Sequence, residues 1–199
     1  MARTKGRRQH LMTAAISIFS RYGYHEAGIR EIAQEAKCAV GTFYVYFTSK
    51  SDVFLALIDA LYSAVMDEVM RGRKDLALAE EKLARSLDRV VGTLLQQRDL
   101  ARVVLVTTLG SEPVVENHLW NIRQTFAELL ATQLQECGIP SERAQIGAWA
   151  FVGALAEIFS IWARRPEQSL EAMTQGVRDL FWHAWGLRLS STSSPPSSS

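Results

Sequence analysis

The chain lacks most of what catalysis, secretion or metal binding would require. It carries two cysteines in 199 residues, Cys38 and Cys137. They lie far apart in different expected units, which argues against a disulfide and for a reducing compartment. Its histidines, His10, His25, His118 and His183, are scattered and none is paired at metal spacing, so no metal and no cofactor is expected. There is no phosphate-cradling glycine loop and no nucleophile elbow. Neither cysteine has a sequence neighbour that would activate it, and an enzyme is not expected. No apolar run approaches the roughly 20 residues of a membrane span. The basic residues Arg3, Lys5, Arg7 and Arg8 lead into an amphipathic stripe and not into a signal-peptide core. A cytoplasmic protein with no membrane partner is expected. Strand patterning is missing as well: the run 103–106, VVLV, is the nearest case, and its length and flanks favour buried helix.

A charge of one sign is also absent, since the net charge is +1. Its distribution is uneven. Residues 1–50 hold eight Lys/Arg against three Asp/Glu, while the remainder holds fourteen against eighteen. A basic front end on a slightly acidic body suits a phosphate-binding module joined to one that is not. Hydrophobic content of 48% with 22% charged residues is ordinary for a soluble globular chain of one domain or two small ones.

The most informative stretch is 29–50, IREIAQEAKCAVGTFYVYFTSK. Ile29, Ile32, Ala33 and Ala36 recur at i, i+3, i+4 and i+7, one buried stripe on a helix of about two turns. A turn at Lys37 and Cys38 leads to a second short helix from Val40 to Phe47, anchored by Phe43 and Phe47 four residues apart. Ala39, Val40, Gly41, Thr42, Val45 and Tyr46 are left at its leading end and outer face. A helix tip of methyls, a hydroxyl and phenols flanked by basic residues suits the DNA major groove, with methyls meeting thymine and hydroxyls reaching phosphates or base edges. Two helices joined by so short a turn form a helix-turn-helix. Before it, Leu11, Ala14, Ala15, Ile18, Phe19 and Tyr22 keep one stripe in phase for three turns, and Gly23 is placed to end that helix. Residues 1–6 are expected to be a loose basic arm. Tyr24 is expected to be a core aromatic beneath the helix-turn-helix.

Over residues 9 to 58 the chain resembles the N-terminal domain of the TetR transcriptional regulators. The likeness rests on Ala14-Ala15, Phe19, Tyr22-Gly23-Tyr24, the run from Ile29 to Ala33, and the run from Gly41 to Lys50. It implies contacts to phosphates or bases from Thr42, Tyr44, Tyr46 and Lys50, with Ala39, Val40, Gly41 and Val45 lining the groove and Arg30 nearby. Four positions depart from the family. Ala27 and Gly28 stand where hydroxyl residues usually cap the next helix, Lys37 stands where the turn glycine usually sits, and Ala39 stands where many relatives have serine. Lys37 would have to adopt φ > 0 at a cost of about 1 kcal/mol, and offers a basic contact of its own in return.

Ser49 and Asp52 form a capping-box-like pair opening a long helix that runs to about Met70, before a break at Arg71-Gly72-Arg73-Lys74. Helices are then expected near 79–97, 99–109, 113–137, 141–164 and 169–187, punctuated by Gly110, Gly138-Ile139-Pro140 and Arg165-Pro166. Ser111, Ser141 and Ser169 are candidate N-caps. The Ser/Pro-rich tail 190–199 is expected to be disordered. The fold class is all-α: a three-helix helix-turn-helix domain over 1–50 and a helical-bundle domain for ligand binding and dimerisation over 51–189.

Aromatics crowd the second part: Trp120, Phe126, Trp149, Phe151, Phe159, Trp162, Phe181, Trp182 and Trp185. Most are bundle core, yet they also suit an apolar pocket between helices, and the resemblance implies an inducer there. The candidate ligand residues are Arg102, His118, Trp120, Arg123, Phe126, Trp149 and Phe159, with Asn117 and Gln124 as further polar candidates. Gly147, Ala150, Gly153, Ala154 and Ala156, with Leu180, Phe181, Ala184 and Leu187, are candidates for a homodimer interface. A two-fold dimer implies a palindromic operator in double-stranded DNA. The expected function is a transcriptional regulator, a repressor, released from DNA by a small apolar effector of fatty-acyl or aromatic type. The segment 151–162, FVGALAEIFSIW, looks somewhat like fatty-acyl-responsive relatives. One rival is a DNA-binding regulator whose second domain recognises a protein and has no effector. The other is a ligand-binding or catalytic helical protein whose front end is coincidental.

Overall fold

The computed structural model describes residues 2–72, 79–107, 112–165 and 167–187. The described residues form helices α1 (Ala2–Glu26), α2 (Ile29–Glu35), α3 (Val40–Tyr46), α4 (Lys50–Gly72), α5 (Ala79–Gln96), α6 (Arg98–Thr107), α7 (Pro113–Glu136), α8 (Ser141–Arg164) and α9 (Leu170–Trp185), with no strand among them. The helix positions match the sequence periodicity to within a residue or two at most ends.

The front end corrects one expectation. Residues 2–6 are not a loose arm but the first turns of α1. Ala2, Arg3, Lys5, Arg7 and Arg8 are good helix formers, and a lone Gly6 weakens the run by only about 1 kcal/mol. Gly23, at φ 77° and ψ 165°, breaks the regular winding of α1 where a side chain would be strained. The chain then turns so that Tyr24 is buried beside Phe19 and Phe54, with ring centroids 5.0 to 5.8 Å apart. Fully buried Phe54 comes from α4, so this aromatic cluster joins α1 to α4.

The start of α4 is fixed by side chains. Ser49 accepts from the Asp52 amide at 3.0 Å, while Asp52 accepts from the Thr48 amide at 2.7 Å and the Thr48 hydroxyl at 3.1 Å. The return arm of the expected box thus reaches one residue further back than Ser49. Further along, α4 buries Leu57, Ile58, Leu61, Val65 and Val69. One helix therefore packs its early turns against the front end and its later turns against the bundle.

Two N-caps differ from expectation. α8 starts at Ser141 itself with Pro140 as its cap, because left-handed Gly138 and buried Ile139 bring the chain into helical register one residue early. Glu112 holds the N-cap position of α7 without a side-chain capping bond. Ser169 does cap α9, accepting from the Ala172 amide. Gly110, Ser111, Arg73, Lys74, Pro166 and the tail 190–199 lie outside the described residues. A further correction concerns α8, which is long and apolar enough to cross a membrane by length and composition, with mean hydropathy 1.6. Its apolar content has another use: Ala144, Ala148, Phe151, Trp162 and Ala163 are buried inside the fold.

A long-range polar contact ties the α1–α2 corner to the start of α7. The Tyr24 hydroxyl donates to the Glu112 carboxylate at 2.9 Å. Burial, and then that carboxylate, push the phenol from its ordinary value of 10.0 up to about 12. The folded state holds this proton more tightly than the unfolded state, so its stabilising effect is complete below pH 10 and is lost as pH rises from 10 toward 12. Tyr24→Phe should melt lower than the parent at neutral pH but fall less steeply across that alkaline window. Thermal unfolding followed by circular dichroism checks both; parallel curves for the two proteins would dismiss the contact.

Candidate nucleic-acid interface and effector cavity

α2 is short and carries no side-chain cap. It is held by its buried face, Ile32, Ala33 and Ala36, against the neighbouring helices. Glu31 folds back over its N-terminus, so close that a Cβ at Gly28 would lie 2.1 Å from the carboxylate. Ala27 is 3% exposed. Its methyl belongs to the core, which accounts for an apolar residue where the family has a hydroxyl.

The turn between α2 and α3 has defined hydrogen bonds. The Lys37 amide donates to the Gln34 carbonyl and the Cys38 amide to the Ala33 carbonyl, both at 2.9 Å. This is a Schellman closure, in which the residue after the C-cap adopts the left-handed conformation. Lys37 does so, at φ 53°, as its position requires. α3 follows with Phe43 at 0% exposure and Phe47 just beyond it at 1%. Their burial fixes which face points away from the protein: Val40 is 37% exposed, Tyr44 55% and Val45 74%. Ala39 and Gly41 are exposed beside them, and Thr42 and Tyr46 are half-buried. Nothing lies within 4 Å of where a Gly41 side chain would begin. A short helix presenting two valines and a tyrosine to water offers an apolar, hydroxyl-bearing tip that solvent does not favour.

Exposed Arg30 and Lys37 flank this tip. A further cation, not among the expected site residues, lies nearby: the Arg8 guanidinium is 5.0 Å from the Phe47 ring centroid, bringing the start of α1 beside the end of α3. Its signal was present in the basic run at the N-terminus. Lys50 takes a different part from the one the resemblance implies. Its ammonium donates to the carbonyls of Tyr24 at 2.7 Å, His25 at 3.0 Å and Ala27 at 3.0 Å, and lies 4.7 Å from the Tyr24 ring centroid. An ammonium has three N–H donors, and all three are engaged. Lys50 thus clasps the α1–α2 corner to the start of α4.

Behind this head, α4 to α8 enclose a cavity of about 350 Å³. Its walls include Leu61, Tyr62 and Val65 of α4, Leu87 and Leu94 of α5, Val104 of α6, Phe126 of α7, and Phe151 and Phe159 of α8. Of the expected ligand residues, Arg123, Phe126 and Phe159 line it. Four others do not. Arg102 is exposed and donates through Nε to the Ala163 carbonyl at 3.2 Å. His118 Nε2 lies 2.7 Å from Asp59 Oδ1. Trp120 and Trp149 stack on each other at 5.0 Å on the outer surface, 57% and 37% exposed. The two further polar candidates, Asn117 and Gln124, are not among the lining residues either. A residue count on α7 cannot tell its two faces apart when both carry aromatics. The wall from α4 and α5 was missed because an aliphatic stripe facing a void has the same periodicity as one facing a packed core.

Small residues of α8 also divide. A Cβ on Gly147 would meet the Trp185 ring nitrogen at 2.7 Å, so this glycine admits α9 within the same chain. Ala156 and Gly153 line the cavity, Gly153 at an exposed position, while Ala150 is exposed away from it, as are Ile146 on α8 and Leu180 and Ala184 on α9.

Lys37→Gly separates conformation from charge. It should raise the melting temperature, relieving about 1 kcal/mol of left-handed backbone cost. If Lys37 meets a phosphate, the same change should weaken DNA binding alike on all sequences and lower the salt slope by about one. Salt titrations of duplex binding read this out, and an unchanged slope would remove Lys37 from the interface.

The family model for "Bacterial regulatory proteins, tetR family" matches residues 11–57. Along most of its length the chain is similar to the fatty acid metabolism regulator protein of Bacillus subtilis, at 24% identity over 187 residues, covering 90% of this chain and 96% of that one. Its fold is that of the fatty acid degradation regulator FadR of Bacillus halodurans, with TM-score 0.77 at 23% identity, covering 88% of this chain and 94% of that one. It is also that of Bacillus subtilis FadR solved in complex with stearoyl-CoA, with TM-score 0.73 at 22% identity, covering 87% and 96%.

Proposed function

We propose that this chain, which belongs to the tetR family of bacterial regulatory proteins, is a cytoplasmic homodimeric repressor released from a palindromic operator by an apolar effector with a long aliphatic chain. The observation that carries this reading is the double duty of α4. Phe54 packs under the reading head while Leu61, Tyr62 and Val65, a few turns on, wall the cavity. A ligand that repositions those later turns cannot leave the early ones where they were.

The division into a DNA-binding part over 1–50 and an effector and dimer part over 51–189 follows from this, with α4 as the joint. Thr42, Tyr44, Val45 and Tyr46, with Ala39, Val40 and Gly41, enter the major groove; Arg30, Lys37 and Arg8 meet phosphates. Lys50 holds the corner. The exposed small and apolar residues of α8 and α9, among them Ile146, Ala150 and Leu180, take a second copy of the chain and set the spacing of the two heads.

The cavity favours a small molecule over a protein partner as the signal, because a second domain made only to bind a protein would have a packed interior. Its lining is mostly aliphatic and aromatic, and the basic Arg123 stands exposed at its edge, across the mouth from Glu157 on α8. That arrangement suits a chain with an anionic head. The relative solved with stearoyl-CoA is of the same fold, which supports an acyl thioester as the ligand to try first.

Tyr44→Ala and Tyr46→Ala should weaken binding to a duplex from upstream of the chain's own coding region by roughly tenfold or more each, with the dimer intact by size-exclusion chromatography. Leu61→Trp should fill the cavity, keep DNA binding and abolish release by long-chain acyl-CoA. Fluorescence anisotropy of the labelled duplex measures both. Release that persists in Leu61→Trp would place the effector elsewhere.

A further inference from the structure

The cavity is not apolar throughout, and its polar groups are not equivalent. Arg123, Gly153 and Glu157 are the exposed lining positions, so the mouth lies between the middle turns of α7 and α8. Tyr62 and Ser160 are half-buried. Gln133 and Ser86 are different: both line the cavity, yet they are only 3% and 7% exposed. They lie toward the end of the bundle remote from the reading head, where the last turn of α7 meets the first turn of α5. Glu80 there is close enough to help raise the pKa of the Cys137 thiol, an effect led by burial.

Ser86 donates its hydroxyl to the Lys82 carbonyl at 2.7 Å and keeps its lone pairs for another partner. Gln133 is more exacting. Its amide oxygen is buried with no hydrogen-bond partner among the described residues. Its neighbours on the α7 stripe, Leu130 and Leu134, are buried leucines, so an apolar side chain would suit the fold at least as well. A buried acceptor without a donor costs free energy, a cost that a binding site can recover from the right ligand and a packed core cannot.

We infer that Gln133 reads a hydroxyl at the far end of the ligand, so that the preferred effector is a hydroxylated aliphatic chain with an anionic head and not a plain saturated one. This rests on the assignment of the cavity as the effector site. The head group meets Arg123 at the mouth, and the chain runs inward along α7. Ten residues separate Arg123 from Gln133, about 15 Å of helix, a span close to an extended dodecanoyl chain. At the end of that path the ligand hydroxyl donates its one proton to the Gln133 amide oxygen. A plain chain of the same length leaves the amide buried and unanswered, and is discriminated against by that amount.

The test compares dodecanoyl-CoA with dodecanoyl-CoA hydroxylated at the ω, ω−1 or ω−2 carbon, by isothermal titration of the full-length parent and of Gln133→Met. In the parent, one hydroxylated chain should bind about tenfold more tightly than the plain chain. In Gln133→Met the plain chain should still bind and the advantage should disappear. Without ligand, Gln133→Met should melt no lower than the parent, since an apolar side chain of similar size replaces an unanswered amide. Equal binding of all chains to the parent overturns the inference and leaves the cavity as an acyl site. An advantage that survives in Gln133→Met, or a lower melting temperature in that variant, overturns it too, by giving the selectivity or the amide another cause. Failure of every chain to bind either protein overturns the effector assignment itself, and the inference with it.

Discussion

Everything in this protein turns on the fact that α4 has no apolar stripe to spare. Its early turns are committed to Phe19 and Tyr24 through Phe54, and its later turns to the cavity through Leu61, Tyr62 and Val65. Close-packed interiors do not deform continuously, so a helix shared by two of them moves as a unit or not at all. The start of α4 is clamped further by the Lys50 ammonium on three carbonyls of the α1–α2 corner. Removing that clasp would strand a charge and three carbonyls, which makes it a more rigid joint than an exposed ion pair such as Arg21–Glu35 could provide. The reading helix has no comparable fixings of its own. It is seven residues long, lacks a side-chain cap and stays in place through Phe43 and Phe47.

How much of this was legible in the sequence depends on whether the deciding contact is local. Helix positions follow from the i, i+4 spacing of apolar residues and from Gly23 and Gly138, both of which are found at positive φ. The strained turn at Lys37 was legible for the same reason, since its backbone state is set within a few residues. Partners that arrive from far along the chain were not. Nothing near Lys50 announces that its donors will meet carbonyls some 25 positions earlier, and nothing near Tyr24 points to Glu112, which is 88 positions away. Trp120 and Trp149 carry the strongest apolar signal in the second domain, yet they stack on its outside. Gln133 was legible in principle, as one amide interrupting a leucine stripe on α7. Its meaning depends on whether the stripe faces a core or a void, and spacing does not hold that information.

Coupling between cavity and head needs a ligand that prefers one arrangement of α4 over another; tight binding alone shifts nothing. A second connection makes that preference easier to transmit. α7 contributes Phe126 to the cavity, where it meets Tyr62 of α4 edge-on at 5.4 Å. Further toward its N-terminus, His118 of α7 approaches Asp59 of α4, and the Glu112 cap accepts from Tyr24 at the corner of the head. A chain that wedges Phe126 away from Tyr62 therefore strains two polar contacts on the same side as the head, and both can exchange their partners for water at modest cost. Those contacts are the natural place for the two states to differ, because the apolar contacts of Phe54 have no such alternative partner. By linkage, if a ligand in the cavity weakens DNA binding, then DNA must weaken that ligand by the same factor.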